Sequence, residues 1–225
     1  MLRFHHQSAF WQPSAVFIQE GFLHTLTDHQ LLDGLAEIIK CGVIGDPELF
    51  AVIENAFADF PQATPTPLKN LILDPSLLSR LITDSVALKR KVVEADETEK
   101  GQRQFLNLGH TIGHGVEAAS AFTETPITHG HAVAIGLSAI AKVSAKRGWC
   151  DAEPADRITA LLSKAGFPLD LPEDPMEQRR VLGFMTSDKK RRGDSLTFII
   201  PEEIGACVTR SVSTKDLPGI LSDAV

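Results

Sequence analysis

A mainly α-helical domain with one small β-hairpin near its C-terminus is the fold class this sequence predicts. Three observations predict it. Apolar residues recur at steps of three and four along most of the chain. Helix-start signals precede those stretches, as Thr27-Asp28-His29-Gln30, Asp46-Pro47 and Asp74-Pro75. Strand-like patterning is concentrated in Ser195-Leu196-Thr197-Phe198-Ile199-Ile200 and Ala206-Cys207-Val208-Thr209.

The elements follow in order. Ala15-Val16-Phe17-Ile18 reads as a short strand. Thr27 and Gln30 have capping-box spacing, and the helix they open carries Leu31, Leu35, Ile38 and Ile39. Gly45-Asp46-Pro47 ends it and starts the next, with Asp46 as N-cap and Pro47 as first helical residue. That second helix carries Leu49, Phe50, Ile53 and Phe57, and a proline-rich loop runs from Phe60 to Pro67. Asp74-Pro75 opens a third helix, where Leu78, Ile82, Ser85, Lys89 and Val93 line one face. Lys89 sits on that stripe, either snorkelling at the core rim or facing a pocket. The charged stretch Asp96 to Gly101 breaks the pattern ahead of a histidine-rich helix. A loop around Thr123 to Thr128 leads to a small-residue helix from Ala132 to Arg147. Further helices are read over Ile158 to Ala165, closed by Gly166, and over Met176 to Met185. Pro201 to Gly205 would join the two strands as a hairpin.

The composition narrows the function classes. The 225 residues are 43% hydrophobic and 23% charged, enough apolar content for a real core. A net charge of −7 argues against a nucleic-acid binder, which needs a basic face. Cys41, Cys150 and Cys207 are far apart and odd in number, which disfavours a disulfide framework and suits a reducing compartment. No apolar run nears the ~20 residues that span a bilayer, and the first residues have no signal core. The expectation is a cytoplasmic protein that binds no membrane.

Chemistry concentrates in Asn107-Leu108-Gly109-His110-Thr111-Ile112-Gly113-His114 and in Thr128-His129-Gly130-His131, which hold four of the eight histidines. His110 and His114 share a helix face, a spacing at which two imidazoles can address one metal ion or one substrate. The pair lacks the Glu of HExxH, which disfavours a metalloprotease. Glu37 and Lys40 lie three apart on a helix, and on pattern alone they read as a weak surface ion pair. Lys89, Arg103 and Asn107 are compatible with an anion pocket, since Arg offers a fork of donors and Lys a point charge. The glycines around Gly109 do not form GxGxxG and are not followed by Lys-Ser/Thr, so no dinucleotide fingerprint is present.

Taken together, these motifs resemble the C-terminal domain of 3-dehydroquinate synthase. The matching pieces are Gly34-Leu35-Ala36-Glu37-Ile38-Ile39-Lys40, then the run Lys89, Val92, Val93, Asp96, Glu97, Glu99, Gly101 and Arg103. Leu106-Asn107-x-Gly109-His110-Thr111-x-Gly113-His114, His129-Gly130-x-Ala132-Val133-Ala134-Ile135-Gly136 and Asp188-Lys189-Lys190 complete them. The resemblance implies zinc (or cobalt) held by Glu37, His110 and His129, with positions left for substrate. It implies that His114 handles protons rather than binding metal. Lys89, Arg103 and Asn107 would contact substrate carboxylate, hydroxyls or phosphate, and Lys40 with Lys189 or Lys190 would complete the pocket.

The family reaction converts 3-deoxy-D-arabino-heptulosonate 7-phosphate to 3-dehydroquinate and phosphate, in the shikimate pathway. NAD takes a hydride and returns it, phosphate is eliminated, and an intramolecular aldol closes the ring. Zinc suits Lewis-acid work on vicinal oxygens. The resemblance further implies a homodimer.

Three departures stand out. Residues 1–20 match only the crossover from a nucleotide-binding domain, leaving 21–225 as the helical metal- and substrate-binding domain. The NAD site would then lie mostly outside this chain, on a domain supplied in trans. Arg3 to His6 replaces a Lys-Asn pair usual in the family. His131 replaces a glutamate, where it would add a competing ligand or change the metal's surroundings. The alternatives are a related sugar-phosphate cyclase making an inosose or valiolone, a metal-dependent alcohol or glycerol dehydrogenase relative, and an inactive interaction or structural remnant.

Overall fold

Side-chain caps set the starts of the first three helices in the computed structural model, which describes residues 15–58, 74–97, 101–187 and 194–225. Thr27 and Gln30 form the full capping box at the head of α1 (Asp28–Gly45). Asp46 ends α1 and accepts from the Leu49 amide at 2.9 Å, starting α2 (Pro47–Ala56). Asp74 accepts from the amides of Ser76 and Leu77, both at 3.1 Å, and opens α3 (Pro75–Ala95). Each cap satisfies amides that a helix end leaves without partners.

Following α3, a 3-10 helix (Gln102–Asn107) leads into α4 (His110–Ser120) and α5 (His129–Lys146). Then come α6 (Ala152–Lys164) and α7 (Pro175–Ser187), the hairpin β1 (Ser195–Glu203) and β2 (Ala206–Ser213), and α8 (Leu217–Asp223). The mainly helical class with a C-terminal hairpin is borne out.

The small-residue helix α5 is the hub. Its residues Ala132 to Ala141 are all buried, with Val143 and Ser144 beyond them. Helices α1, α4 and α6, strand β1 and α8 all pack on it. A helix apolar on every side belongs inside a core, and small side chains let several neighbours approach at once. Buried polar groups there are bonded, as when the Ser144 hydroxyl donates to the Ile140 carbonyl at 2.6 Å.

Several boundaries move. The buried face of α3 runs through Leu78, Leu81, Ser85, Leu88 and Val92. That seam is offset from the predicted stripe, and it leaves Lys89 at the rim, about half exposed. α6 starts at Ala152, since Pro154 is tolerated in a first turn. The hairpin turn shrinks to Ile204 and Gly205, with Gly205 at φ 95°. Pro201 joins β1 beside an irregularity between Pro201 and Glu203, where a residue without an N–H is accommodated. Residues 15–18 form no strand and are exposed, for no described strand offers them a ladder. The proline-rich loop, Arg3 to His6, and Lys189 with Lys190 lie outside the described residues. No helix among the described residues is long and apolar enough to cross a membrane.

Candidate functional site

Four helices deliver the site. Glu37 and Lys40 project from α1, Lys89 from α3, His110 and His114 from α4, and His129 is the first residue of α5. Glycine contacts bring these helices together. A Cβ on Gly136 would lie 2.1 Å from the Gly109 carbonyl oxygen, so α4 and α5 approach backbone to backbone. A Cβ on Gly130 would lie 2.3 Å from Asp33 Cα, which seats the start of α5 on α1. Asp33 strengthens that seat: its Oδ1 accepts from the Thr128 hydroxyl at 2.5 Å and from the His131 amide at 3.1 Å. It therefore caps α5 from a different helix, one turn before Glu37. This cap explains why α5 begins three residues ahead of the predicted start, at His129.

The charges converge on Glu37. The Lys40 ammonium donates to both its oxygens, at 3.1 and 2.9 Å, and is 2% exposed as a residue. This is a half-buried ion pair, not the surface pair that spacing alone suggested, because the α1 face carrying Lys40 is covered. Lys89 Nζ adds a second cation 3.8 Å from Glu37 Oε2. Burial pushes the Glu37 carboxyl up, but the charges and hydrogen bonds of Lys40, with His110 and Lys89, leave it below its ordinary value. Burial drives the Lys40 pKa down, and Glu37 only partly restores it. His110 falls to about 4, first through burial and then through the Lys40 charge. His114 also falls, through burial and the neighbouring His129.

The donor set fits a tetrahedral divalent ion. Glu37 Oε1 lies 3.7 Å from His110 Nε2 and 3.8 Å from His129 Nε2. Donors held at about 2.1 Å around a tetrahedral ion sit about 3.4 Å apart, close to both of these separations. Both imidazoles have their far nitrogen occupied. His110 Nδ1–H donates to the Leu108 carbonyl at 3.1 Å, and His129 Nδ1–H to Glu117 Oε2 at 3.0 Å. Each Nε2 is thereby left unprotonated within 3.8 Å of Glu37, the tautomer usual in metal-binding histidines, and His110 Nε2 also lies 3.5 Å from the Lys40 ammonium. His114 completes a cluster of three imidazoles whose nearest donor atoms lie within 4.8 Å of one another. It is exposed, and among the described residues its ring contacts are the other two histidines.

The predicted residues divide accordingly. Glu37, Lys40, Lys89, His110, His114 and His129 meet in one place. Arg103 and Asn107 lie on the 3-10 helix leading into α4. Arg103 donates through Nη1 to the Glu97 carbonyl at 2.8 Å, and its amide donates to Asp96. His131 turns away from the cluster. Its Nε2–H donates to the Pro168 carbonyl at 2.8 Å, and it lines a separate cleft of about 220 Å³ with Ile127, Ile135 and Leu171. The expectation of a competing ligand at His131 is corrected: in a helix, residues two apart face different sides. Asp33 and Glu117 escaped the sequence reading, because their partners are 95 and 12 residues away.

Comparison with known proteins points one way. The family model described as 3-dehydroquinate synthase C-terminal matches residues 34–191. A 3-dehydroquinate synthase of Geobacter metallireducens is 40% identical over 197 residues, 88% of this chain and 51% of the relative. One from Caldanaerobacter subterraneus is 36% identical over 213 residues, 95% of this chain and 56% of the relative. The chain thus spans about half the length of the curated relatives it matches. Among solved structures, a 2-epi-5-epi-valiolone synthase from Streptomyces hygroscopicus with NAD+ and Zn2+ bound superposes at TM-score 0.72. It has 23% identity, over 91% of this chain and 53% of that one. A 2-deoxy-scyllo-inosose synthase complexed with carbaglucose-6-phosphate, NAD+ and Co2+ gives 0.66 at 22% identity, over 88% and 52%. These two establish the shared fold. The family match extends over more than half of the 225 residues, and the chain belongs to the 3-dehydroquinate synthase C-terminal family.

Proposed function

We propose that this chain is the metal- and substrate-binding half of a 3-dehydroquinate synthase, converting 3-deoxy-D-arabino-heptulosonate 7-phosphate to 3-dehydroquinate and phosphate. The observation that carries the reading is the convergence of Glu37, His110 and His129, with both imidazole Nδ1 atoms occupied and both Nε2 atoms within 3.8 Å of Glu37. These three residues would hold Zn2+ or Co2+, which supplies Lewis-acid polarisation of substrate oxygens when bound. NAD would bind on a nucleotide-binding half supplied in cis or in trans, and would serve as a hydride store. Residues 1–20 would form the crossover to that half, a reading that the exposed Val16 and Phe17 support.

The chain's own residues do the remaining work. Lys40, buried against Glu37, keeps that carboxylate ionised and fixes its orientation. Lys89 reaches the rim beside Glu37 and offers a mobile cation to an anionic substrate group. His114, neutral and exposed beside both metal-facing imidazoles, is placed to accept or donate a proton. Arg103, Asn107, Lys189 and Lys190 are proposed as contacts to the substrate carboxylate, hydroxyls or phosphate. We read the setting as cytoplasmic, which three unpaired cysteines support, and the assembly as a homodimer.

Identity favours this substrate over those of the structural neighbours, at 36–40% for the two synthases against 22–23% for the two cyclases. The test mixes the purified chain with the separately expressed N-terminal half of the Geobacter relative. NAD-dependent phosphate release from the heptulosonate, abolished by Glu37→Ala or His110→Ala, is the expected result. Turnover of a different sugar phosphate in its place would move the assignment to a related sugar-phosphate cyclase. A well-folded chain with no affinity for zinc would overturn the metal assignment.

A further inference from the structure

We propose that Glu117 is a positioning residue that fixes the ring of His129. The inference rests on the metal reading above. His129 differs from His110 in one decisive way: its side chain is 48% exposed, against 13% for His110. Packing cannot lock a half-exposed imidazole. Rotation about χ2 is soft and roughly two-fold, so a flipped ring would send Nε2 away from Glu37. Neutral imidazole also has two tautomers, and only the Nδ1–H form leaves Nε2 free as a donor.

Glu117 removes both freedoms. Its Oε2 lies 3.0 Å from His129 Nδ1, and a carboxylate accepts only, so the proton is held on Nδ1. Glu117 sits one turn beyond His114 on α4, so its position is tied to the same helix that presents His110 and His114. The intervening loop is pinned as well. The Ser120 hydroxyl donates to the Glu117 carbonyl at 2.8 Å and accepts from the Ile127 amide at 3.1 Å. The chain leaving Glu117 is thereby turned back to deliver His129. For His110 the backbone carbonyl of Leu108 does the same work. The more enclosed imidazole uses a backbone anchor, and the exposed one uses a charged side chain, whose hydrogen bond is stronger.

Two measurements on the full chain test this. The first needs no metal: long-range nitrogen–proton correlation spectra of the metal-free protein at about pH 8, where imidazole is neutral. Wild-type His129 should be the Nδ1–H tautomer, and Glu117→Ala should shift it toward the Nε2–H form common in water. Glu117→Gln should largely retain Nδ1–H, because the amide oxygen still accepts. The second is titration with Co2+, read by visible absorption, with Zn2+ by competition. Affinity should fall about 10- to 100-fold in Glu117→Ala, the range for loss of such a partner, and less in Glu117→Gln. An Nε2–H tautomer in the wild type, or unchanged tautomer and affinity in Glu117→Ala, overturns the proposal. Wild-type failure to bind Co2+, with the tautomer shift still seen, would refute the metal reading and leave the Glu117–His129 coupling standing.

Discussion

Gly130→Ala tests whether close helix approach builds the site. The added methyl would sit 2.3 Å from Asp33 Cα and 2.5 Å from the Asp33 carbonyl oxygen. Both are backbone atoms, with no rotamer to yield. Carbon contacts are comfortable only at about 3.5–4.0 Å, so the start of α5 must move off α1 by about 1.2–1.7 Å. Glu37 Oε1 and His129 Nε2, now 3.8 Å apart, would separate to about 5 Å. Donors on one ion at about 2.1 Å can never be more than about 4.2 Å apart. Metal affinity should therefore fall by at least about tenfold. Overpacking costs about 1–3 kcal/mol, offset by up to about 1 kcal/mol from alanine's helix preference. The net loss of about 0–3 kcal/mol lowers Tm by up to about 12 °C for a chain of this size. Differential scanning calorimetry of the metal-free protein and Co2+ titration measure the two effects. Gly183→Ala is the control: its added Cβ meets nothing within 4 Å on α7, so stability should hold or rise. Unchanged Tm and unchanged Co2+ affinity in Gly130→Ala would refute the reasoning.

Three further outcomes are expected. Asp33→Ala removes the cap of α5 contributed by α1 and should cost about 1 kcal/mol in urea unfolding, with Co2+ affinity also reduced. Metal-free stability should fall as pH drops from about 6.5 toward 4, by on the order of 2–3 kcal/mol from His110 alone. The folded pKa of His110, about 4, lies below the unfolded value, so the unfolded state takes up its proton first; His110→Asn should flatten the slope between about pH 6.5 and 5. Cys41 is fully buried and burial pushes the Cys207 thiol up to about 12, so a thiol reagent at about pH 8 should label Cys150 first. Equal rates at all three cysteines in the folded protein would contradict the packing.

Much of this was legible in the chain because the signals are local. Thr27 with Gln30, Asp46 with Pro47 and Asp74 with Pro75 marked helix starts, since a cap contacts amides only two or three residues away. The His110–His114 spacing placed two imidazoles on one face through helix periodicity alone. Where the sequence reading erred, the missing information was long-range. The Glu37–Lys40 pair looked solvated because spacing says nothing about what covers a helix face. The α5 start was misplaced because its cap, Asp33, lies on another helix. Residues 15–18 have strand propensity but no described partner to pair with.

The sequence by itself determined the helical class, the C-terminal hairpin, the family and a set of polar residues from which a site can be drawn. Those properties follow from periodicity, capping and motif order, all written in neighbouring residues. Tertiary structure alone decided that Glu37 stands 3.7 Å from His110 and 3.8 Å from His129. It also decided that Glu117 takes the far side of His129 and that His131 faces Pro168. Such distances are set by where whole helices come to rest, here by glycine contacts at Gly109, Gly130 and Gly136 that let backbones touch.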